Sequence, residues 1–364
     1  MFFYMDIKFM YRAIELAKRG EGFTNPNPLV GAVIVKNGRI IGEGYHKCYG
    51  DLHAERNAIN SATESVVGAD MYVTLEPCSH YGKQPPCTEA IVAAGIKNIF
   101  IGSADPNPLV SGKGVLYLKN HGINVVCDVL KQECDAINEI FFHYITTNMP
   151  YIILKAAMTL DGKTSTCIGD SNWITNEKSR ENVHLTRKRV SAIMVGIYTV
   201  LADDPMLDCR TENPKTPIRV ICDSTLKIPL TSNIAKTADK IPTIVATVSD
   251  DDKKIAELKE IGVQIIKTSG EKVNLKELLK ELEKRKIDSI LVEGGATLHA
   301  SLLKDGLYNK VQIYIAPKIL GGTGKSVIGG EGVLYVKDAY ELENPVVSAF
   351  GSDILLEYDK RNEV

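Results

Sequence analysis

The bulk properties of the chain describe an ordinary globular protein and exclude several classes. Its 364 residues predict about two domains of roughly 150 residues each. Hydrophobic residues make up 44% and charged residues 24%, which suffices for a buried core. A formal net charge of −2 provides no basic surface for a polyanion, so no nucleic-acid partner is expected. A small phosphorylated ligand remains compatible, because a few local arginines suffice for one phosphate.

The cysteines and the apolar runs predict a cytoplasmic protein with no membrane partner. Several of the eight cysteines lie inside apolar segments such as NVVCDVL and RVICDS, where a free thiol behaves as a small buried hydrophobe. No disulfide framework is predicted in a chain of this size. The start of the chain lacks a continuous secretory apolar core, and no later stretch approaches about 18 uninterrupted apolar residues. The oligomeric state stays open, and a homo-oligomer is compatible with the sequence.

The first half of the chain alternates between helical and extended patterns. Helical spacing over 7–19 is followed by two β-rich runs around Asn37-Gly38, which predict a hairpin. A helix is predicted from about His53, and then strands and helices alternate: MYVTLEP, TEAIVAAG, NIFIGS, GVLYLKNHG and INVVCDV. A closing helix is predicted over 131–147. This alternation predicts a three-layer α/β domain in which the strands after the hairpin are largely parallel.

A second α/β unit is predicted after a boundary near Pro150, which gives domains 1–147 and 148–364. It begins with the strand YIILKAAM and continues with a helix over about 177–189. Further predicted strands are SAIMVG, IRVICDS, TIVATV, VQIIKT, SILVEGG, VQIYIAP and SDILLEYD, and NLKELLKELEKRK is an amphipathic helix. Residues 225–290 are interpreted as scaffold.

Four residues of the first half predict a catalytic zinc site. His53, Cys78 and Cys87 supply one imidazole and two thiolates, which hold zinc while leaving a fourth position open for water. Zinc lowers the pKa of that water to about 7. Glu55, two residues after the histidine, is placed to move a proton from the water to a departing amine. This is the pattern described for zinc nucleobase deaminases, H-x-E followed by P-C-x-x-C.

The spacing of the two cysteines departs from that general pattern. The second lies nine residues after the first, separated by SHYGKQPP. Pro85 and Pro86 fix φ before Cys87, and the helix that Cys87 begins favours a thiolate, so we expect the ligand geometry to survive. The extra loop brings His80 and Lys83 to the mouth of the site, where we predict both as substrate contacts. His80 is alternatively a fourth metal ligand or a surface histidine.

The second half contains no standard dinucleotide-binding fingerprint, because G-x-G-x-x-G is absent. The segment GGTGKS at 321–326 suggests a P-loop, but the first glycine of that motif would fall at Ile319, so we reject this interpretation. A buried strand that runs through Gly294-Gly295 into a helix is a better phosphate site. Strand–glycine–helix turns are common in α/β proteins, and the motif alone favours an ordinary structural turn.

Longer segments of the first half resemble a known family. TNPNPLVGAVIV, GEGYH, DLHAERNAI, TLEPCSHYGKQPPCTEAI and DPNPLVSGKG together are similar to the deaminase half of the bifunctional riboflavin-biosynthesis deaminase–reductases. The long loop between the cysteines is that family's version of the motif. The resemblance implies a cytidine-deaminase-like fold and places the segment around Asn27 in the substrate pocket. On the sequence alone, Asn27 belongs equally well to a proline-rich turn before the first strand.

The second half resembles the reductase half of the same family, which has a dihydrofolate-reductase-like α/β fold. The segments that carry this resemblance are KAAMTLDGKTST, SNWIT, TVLADDPMLDCR, VICDS and VEGGATLHASLL. The resemblance implies NADPH contacts at Ala157, Trp173, Thr199, Asp203, Ser224, Gly295, Ala296, Thr297, Leu298, His299, Ala300 and Ser301. It implies substrate contacts at Ser171, Arg187, Leu207, Arg210 and Glu293.

The residue types support part of this assignment. Arg187 and Arg210 are suited to bidentate binding of a phosphate. Trp173, the only tryptophan, is equally well a core or a lid residue. Asp161 is equally well part of an Asp-Gly turn.

The resemblance implies two reactions on one phosphorylated pyrimidine. Hydrolytic deamination of 2,5-diamino-6-(5-phosphoribosylamino)pyrimidin-4(3H)-one is followed by NADPH-dependent reduction of the ribosyl group, which gives 5-amino-6-(5-phosphoribitylamino)uracil. Zn²⁺ and NADPH are the expected cofactors. One alternative is a nucleoside or tRNA deaminase with an unrelated C-terminal domain. Another is a binding protein with a structural zinc, against which Glu55 argues, because a structural site needs a fourth ligand and no adjacent acid.

Overall fold

The structure, a computed structural model, describes residues 6–81, 84–107 and 110–361. The chain divides after Asn148 into two units, Met1–Asn148 and Met149–Val364. Each unit is built on its own sheet, with hydrophobic cores on both faces of that sheet. Within the described residues, no helix has the length and apolar character needed to cross a lipid bilayer.

Helices and strands alternate in the first unit in the predicted order. Its elements are α1 Lys8–Lys18, β1 Gly31–Lys36, β2 Arg39–Tyr45, α2 Ala54–Asn60, β3 Asp70–Leu75, α3 Cys87–Ala93, β4 Asn98–Ser103, α4 Lys113–Asn120, β5 Asn124–Val126, α5 Lys131–Ala136 and α6 Glu139–Thr147. Strands β1 and β2 pair antiparallel around Asn37 and Gly38, whose φ angles of 51° and 74° are those of a two-residue hairpin turn. The predicted hairpin is therefore confirmed.

The sheet of the first unit separates two layers of helices. Within the described residues its strand order is β2-β1-β3-β4-β5, and β3, β4 and β5 run parallel. Because side chains alternate along β1, Ala32 and Ile34 pack on the face that carries α2 and α3. Val33 and Val35 pack on the other face, against α1. The prediction of a three-layer α/β domain with parallel strands after the hairpin is confirmed.

The single closing helix predicted over 131–147 is wrong, because the chain breaks between α5 and α6. The buried Asn138 lies at the break, with a φ of −118° and a ψ of 16°. Its Oδ1 accepts a hydrogen bond from Leu29 N at 2.8 Å, and its Nδ2 donates to Leu29 O at 2.9 Å. Asn138 therefore satisfies the backbone of a residue 109 positions away, which local helical spacing does not encode.

The second unit follows the α/β order predicted for it. Its elements are β6 Tyr151–Thr159, α7 Glu177–Arg189, β7 Ala192–Gly196, α8 Ile197–Asp203, β8 Ile218–Cys222, α9 Asn233–Lys236, β9 Thr243–Thr247, α10 Asp252–Glu260, β10 Gln264–Lys267, α11 Leu275–Lys284, β11 Ser289–Val292, α12 Ala296–Lys304, β12 Lys310–Ala316, a short 3₁₀ helix Val336–Asp338, β13 Leu342–Phe350 and β14 Asp353–Lys360. Across the described residues the strand order is β10-β9-β8-β7-β11-β6-β12-β14-β13. In this spatial order, all neighbouring strands from β10 across the sheet to β12 pair parallel. Strand β14 pairs antiparallel with both β12 and β13.

Several elements of the second unit are not predicted from the sequence, among them β13 and α8. Strand β13 is an edge strand that contains Pro345, and its register shifts between Glu343 and Val346. A mostly exposed strand with a proline and a bulge lacks the apolar alternation by which strands are recognised. Helix α8 has only 7 residues, too few for a helical pattern to be distinctive.

A fully buried arginine links several elements of the second unit. Arg219 on β8 donates from Nε and Nη2 to Thr243 Oγ1 at 3.0 and 2.7 Å. Its Nη2 also donates to Ile234 O at 3.0 Å and Ile241 O at 3.1 Å, and its Nη1 donates to Thr237 Oγ1 at 2.8 Å. None of these acceptors is charged. The guanidinium therefore joins β8, β9 and α9 through neutral acceptors that are left unpaired when it is removed.

We expect Arg219→Met to lower the free energy of unfolding of the second unit by about 3 kcal/mol, because the apolar stem is kept and every donor is lost. Urea denaturation followed by the fluorescence of Trp173, the only tryptophan, measures this loss. Arg285→Met is the matched control at an exposed arginine that contacts Gln264, and it should change stability by less than about 0.5 kcal/mol. A loss below about 1 kcal/mol at Arg219 contradicts the role given to its hydrogen bonds.

Candidate active sites

The three candidate ligands of the first unit lie together at the ends of secondary-structure elements. His53 immediately precedes α2, Cys78 follows β3, and Cys87 is the first residue of α3. His53 Nδ1 lies 3.5 Å from Cys78 Sγ and 3.4 Å from Cys87 Sγ. One ligand atom from each residue falls within 4.8 Å of the others, and among the described residues this group does not include His80. The geometry therefore argues against His80 as a fourth ligand.

These separations fit one zinc ion. Zn–N and Zn–S bonds of about 2.0 and 2.3 Å at a tetrahedral angle place the two donors about 3.5 Å apart. The hydrogen bond between the two thiols lowers the pKa of Cys78 to about 4, and the same contact together with burial raises the pKa of Cys87. The protein itself thus stabilises a thiolate at Cys78, the form that binds a metal. Three donors leave one coordination position open, as in a catalytic site.

Glu55 is buried beside the ligand group, in the first turn of α2. Its side chain lines the same cavity as His53 and Cys78. Burial raises the pKa of Glu55, and the negative charge of Cys78 is a further cause. A carboxyl with a raised pKa exchanges protons more readily near neutral pH, so this arrangement suits proton transfer.

A cavity of about 320 Å³ opens onto these residues. Asn27 and His80 both line it, whereas Lys83 lies outside the described residues. The apolar residues that line this cavity include Val30, Leu75, Val110, Phe141 and Ile145. A planar ring of moderate size therefore has both apolar surface and polar groups to contact.

His46 orients Asn27, although the sequence did not single out this histidine. Its Nδ1 lies 3.2 Å from Leu52 O, so Nδ1 carries the proton and Nε2 accepts a hydrogen bond from Asn27 Nδ2 at 3.1 Å. Asn27 N also donates to Thr24 O at 2.8 Å. Asn27 therefore lies in the proline-rich turn and lines the cavity at once, which joins the two interpretations that the sequence left open.

Two further acids in the cavity wall were missed by motif reasoning. The Glu76 carboxylate accepts hydrogen bonds from the backbone N–H groups of Gly112, Gly114 and Val115, at 3.0, 3.0 and 3.2 Å, and so holds the start of α4. Asp105 follows β4 and is buried, and burial raises its pKa to about 6. Both residues lie in segments that carry the family resemblance. The spacing of nearby residues, however, does not predict which groups either acid contacts.

The second unit contains a cavity of about 430 Å³ around the turn between β11 and α12. Gly294 has a φ of 110°, which favours glycine. The predicted contacts that line this cavity are Ala157, Ser171, Thr199, Asp203, Glu293, Gly295, Ala296, Thr297, Leu298 and His299. The predicted contacts that do not line it are Trp173, Arg187, Leu207, Arg210, Ser224, Ala300 and Ser301.

Arg187 is paired with an acid of the cavity wall. Its Nε and Nη2 donate to the two carboxylate oxygens of Glu293 at 2.6 and 2.9 Å, and its Nη1 donates to Asp208 O at 2.8 Å. The partly buried Lys155 places its Nζ 3.9 Å from Glu293 Oε2. Although burial opposes it, Arg187 and Lys155 lower the pKa of Glu293 to about 2. The guanidinium of Arg187 therefore binds Glu293 in this structure, and its contact with a substrate phosphate stays a prediction.

Other predicted contacts have different partners. The guanidinium of Arg210 is exposed and binds Asp208 at 3.0 Å. The Leu207 side chain is buried in the core under β7 and β8. Trp173 is 66% exposed, so its interpretation as a core residue is wrong, and the lid interpretation stays a prediction. Arg180 stacks over its ring at 4.8 Å.

Two serines predicted to contact NADPH bond to the backbone of the second unit. Ser224 Oγ accepts from Val273 N at 3.1 Å. Ser301 Oγ donates to Thr297 O at 3.0 Å, one turn into α12. Both roles stay predictions, because neither side chain lines the cavity among the described residues.

The glycine-rich segment 321–326 contributes to the second cavity without being a P-loop. No α-helix follows it within the described residues, which agrees with the rejection of a P-loop. Lys325 and Ser326 nevertheless line the cavity, and Thr164 N donates to Lys325 O at 2.8 Å. Asp161 accepts hydrogen bonds from the N–H groups of Leu320 and Gly321, where this segment begins. The Asp-Gly turn therefore anchors a loop that reaches the cavity.

Comparison with known families matches both units. Residues 4–103 match the cytidine and deoxycytidylate deaminase zinc-binding region. Residues 150–356 match the RibD C-terminal domain. The second match does not favour the alternative of a nucleoside or tRNA deaminase with an unrelated C-terminal domain.

Relatives cover nearly the whole chain. It is 51% identical to the riboflavin biosynthesis protein RibD of Actinobacillus pleuropneumoniae over 97% of this chain and 95% of that protein. The RibD structure of Acinetobacter baumannii matches with a TM-score of 0.88 and 38% identity, covering 98% of this chain and 99% of that one. A Thermotoga maritima structure, described as a diaminohydroxyphosphoribosylaminopyrimidine deaminase/5-amino-6-(5-phosphoribosylamino)uracil reductase, matches with a TM-score of 0.87 and 40% identity over 98% of each chain. The chain therefore belongs to the RibD family and is a bifunctional deaminase and reductase of riboflavin biosynthesis.

Proposed function

We propose that the first unit deaminates 2,5-diamino-6-(5-phosphoribosylamino)pyrimidin-4(3H)-one and that the second unit reduces the ribosyl group of the product with NADPH. The final product is 5-amino-6-(5-phosphoribitylamino)uracil. The observation that carries this proposal is a pair of separate cavities, one beside the ligand group with Glu55 and one around the glycine turn before α12. The proposed domains are 1–147 and 148–364, and the division of the chain after Asn148 supports them.

We assign the zinc of the first unit to His53, Cys78 and Cys87. When bound there, zinc supplies Lewis acidity and lowers the pKa of water at its open position to about 7. Cys87 N–H donates to Cys78 Sγ at 3.4 Å, which favours the thiolate. The His53 ring packs edge-on against His46, with centroids 5.3 Å apart, and this contact limits its rotation. These contacts support a ligand set that is arranged before metal binds.

Glu55 is the proposed proton-transfer group of the deamination. Its carboxylate accepts a proton from water and donates it to the departing amine. Because burial disfavours its charged form, the carboxyl takes up that proton readily and holds it next to the cavity that it lines. Asn27 and His80 line the same cavity and are the proposed substrate contacts.

In the second unit, we propose that a phosphate group of NADPH binds at the turn before α12. The first N–H groups of a helix have no intrahelical partner and attract anions. A Cβ at Gly295 would lie 3.5 Å from Thr199 Oγ1, so α8 and this turn form one wall of the cavity. NADPH supplies the hydride, and the protein supplies orientation. Glu293 is the proposed substrate contact, and Arg187 orients its carboxylate through the paired hydrogen bonds.

We also propose a cytoplasmic location. All eight cysteines are free thiols, which is the state that a reducing compartment maintains. The proposed partner is the small phosphorylated pyrimidine, and self-association into a homo-oligomer stays a prediction.

Replacing one ligand should release the metal. We expect the wild-type chain to hold about one zinc and Cys87→Ser to lose most of it on dialysis, because a neutral hydroxyl is a poor substitute for a thiolate. Metal analysis by mass spectrometry measures the content. Cys127→Ser, at an exposed cysteine outside the ligand group, is the matched control and should keep its zinc. Full zinc content and intact deamination in Cys87→Ser would refute the ligand assignment.

Removing the proton shuttle should slow deamination without removing zinc. We expect Glu55→Gln to lower the rate of ammonia release by at least about 10²-fold, because the amide keeps the size of the side chain but neither accepts nor donates a proton as an acid or base near neutral pH. Ammonia release and zinc content are measured on the same preparation. Glu89→Gln, another acid in the first turn of a helix of this unit, is the control and should deaminate normally. Near-normal ammonia release from Glu55→Gln would show that a different group moves the proton.

The two activities should separate along the chain. A fragment of residues 148–364 should oxidise NADPH with the deaminated uracil intermediate and should not react with the diamino substrate. The reason is that the second unit has its own sheet and its own hydrophobic cores and should therefore fold independently. In the full chain, a chelator should abolish ammonia release and leave reduction of the intermediate unchanged, since no proposed zinc ligand lies after residue 148. Loss of reduction on chelation, or a folded fragment that binds no NADPH, contradicts the placement of the reductase site.

A further inference from the structure

The glycine-rich segment 321–326 supplies a lysine to the cavity of the second unit. GGTGKS is not a P-loop, yet its Lys325 lines the cavity around the turn before α12. Thr164 donates to Lys325 O from its backbone N at 2.8 Å and from its Oγ1 at 3.3 Å. Thr164 lines the same cavity. The fold therefore fixes the point from which the lysine side chain reaches the cavity.

The chain that follows Lys325 runs along the first turn of α12. Gly329 N donates to Ala296 O at 3.0 Å, and His299 Nδ1 lies 3.4 Å from Val327 O. A Cβ at Gly329 would lie 3.2 Å from Ala296 C, so the two backbones are in direct contact. These contacts bring Lys325 to the same end of α12 at which the N–H groups of a helix lack intrahelical partners.

Two N–H groups at this end of α12 have no acceptor in the described part of the protein. They belong to Ala296 and Thr297, and both residues line the cavity. The next two N–H groups, those of Leu298 and His299, donate to Gly295 O at 2.9 and 3.2 Å. Unpaired N–H groups at the start of this nine-residue helix attract an anion, and a cation nearby adds to that attraction.

The charge of Lys325 is not used within the protein. The other lysine that lines the cavity is Lys155, whose Nζ lies 3.9 Å from Glu293 Oε2. Across the described ranges, no carboxylate lies within ion-pair distance of Lys325. Burial raises the pKa of Asp203, another residue of the cavity wall, and the positive charge of Lys325 opposes that shift. Lys325 is thus the cation of this cavity that is available to an anionic ligand.

We infer that the ammonium of Lys325 binds a phosphate group of NADPH, together with the free N–H groups at the start of α12. This inference rests on the proposed reduction with NADPH. A lysine acts on a phosphate as a point charge, while backbone N–H groups supply the direction of the contact. In a P-loop the glycines, the lysine and the helix are continuous in sequence. Here α12 and the lysine belong to separate segments that are joined through β12.

The test measures binding of reduced cofactors to the full-length chain. Calorimetry gives the dissociation constants of NADPH and of NADH, which lacks the phosphate on the adenosine ribose. We expect Lys325→Met to weaken NADPH binding about tenfold, as for loss of a contact with a charged group. Lys325→Arg keeps the charge and should stay within about threefold of the wild type. An equal loss for NADH assigns the contact to the pyrophosphate, and a loss confined to NADPH assigns it to the ribose phosphate.

Lys276→Met is the matched control, because it makes the same exchange at an exposed lysine of α11 that does not line the cavity. It should bind both cofactors as the wild type does. Added salt screens charges, so it should weaken NADPH binding less in Lys325→Met than in the wild type. Unchanged NADPH binding in Lys325→Met, or a loss with the salt dependence of the wild type, overturns the inference. Failure of the proposed reduction is separate, because the wild-type chain itself would then bind no NADPH.

Discussion

Both sites depend on parallel strands that end at the same edge of a sheet. In the first unit, β3 and β4 lead into Cys78 and Asp105, and in the second, β11 leads into Glu293 and the glycine turn. The helix after each strand starts at that edge, so its N–H groups point toward the same space. The buried strands fix the positions of these residues. The segments that follow the strands lie outside the core and can supply the reacting groups.

Burial makes every charge at these edges depend on its partners. Glu293 is surrounded by Arg187 and Lys155, which lower its pKa to about 2 in spite of burial. Asp105 has no such cation among the described residues, and burial raises its pKa to about 6. Two buried carboxyls thus shift in opposite directions because of their neighbours. Ion pairs within the protein hold the first carboxyl, whereas burial is the main influence on the second.

Short motifs predicted the ligand set but not the residues that support it. His53, Glu55 and Cys78 stand in patterns whose spacing reflects one metal and one proton transfer, and apolar alternation predicted both sheets. Contacts between distant residues have no such spacing. Arg187 and Glu293 are 106 positions apart, so the sequence does not reveal that the arginine binds an acid of the protein. Side-chain pairing across a fold follows from tertiary packing, which a single sequence does not display.

The long loop between the two cysteines shows how an insertion is accommodated without disturbing the ligands. Cys87 must return to the same point whether two or eight residues separate it from Cys78, and two prolines restrict the last steps of the path. Those prolines offer carbonyls but no N–H groups. Arg56, one residue after Glu55, donates from Nη2 to Pro85 O at 3.2 Å and to Pro86 O at 2.9 Å. The helix that carries the catalytic acid thus also holds the end of the loop, which couples the position of Cys87 to that of Glu55.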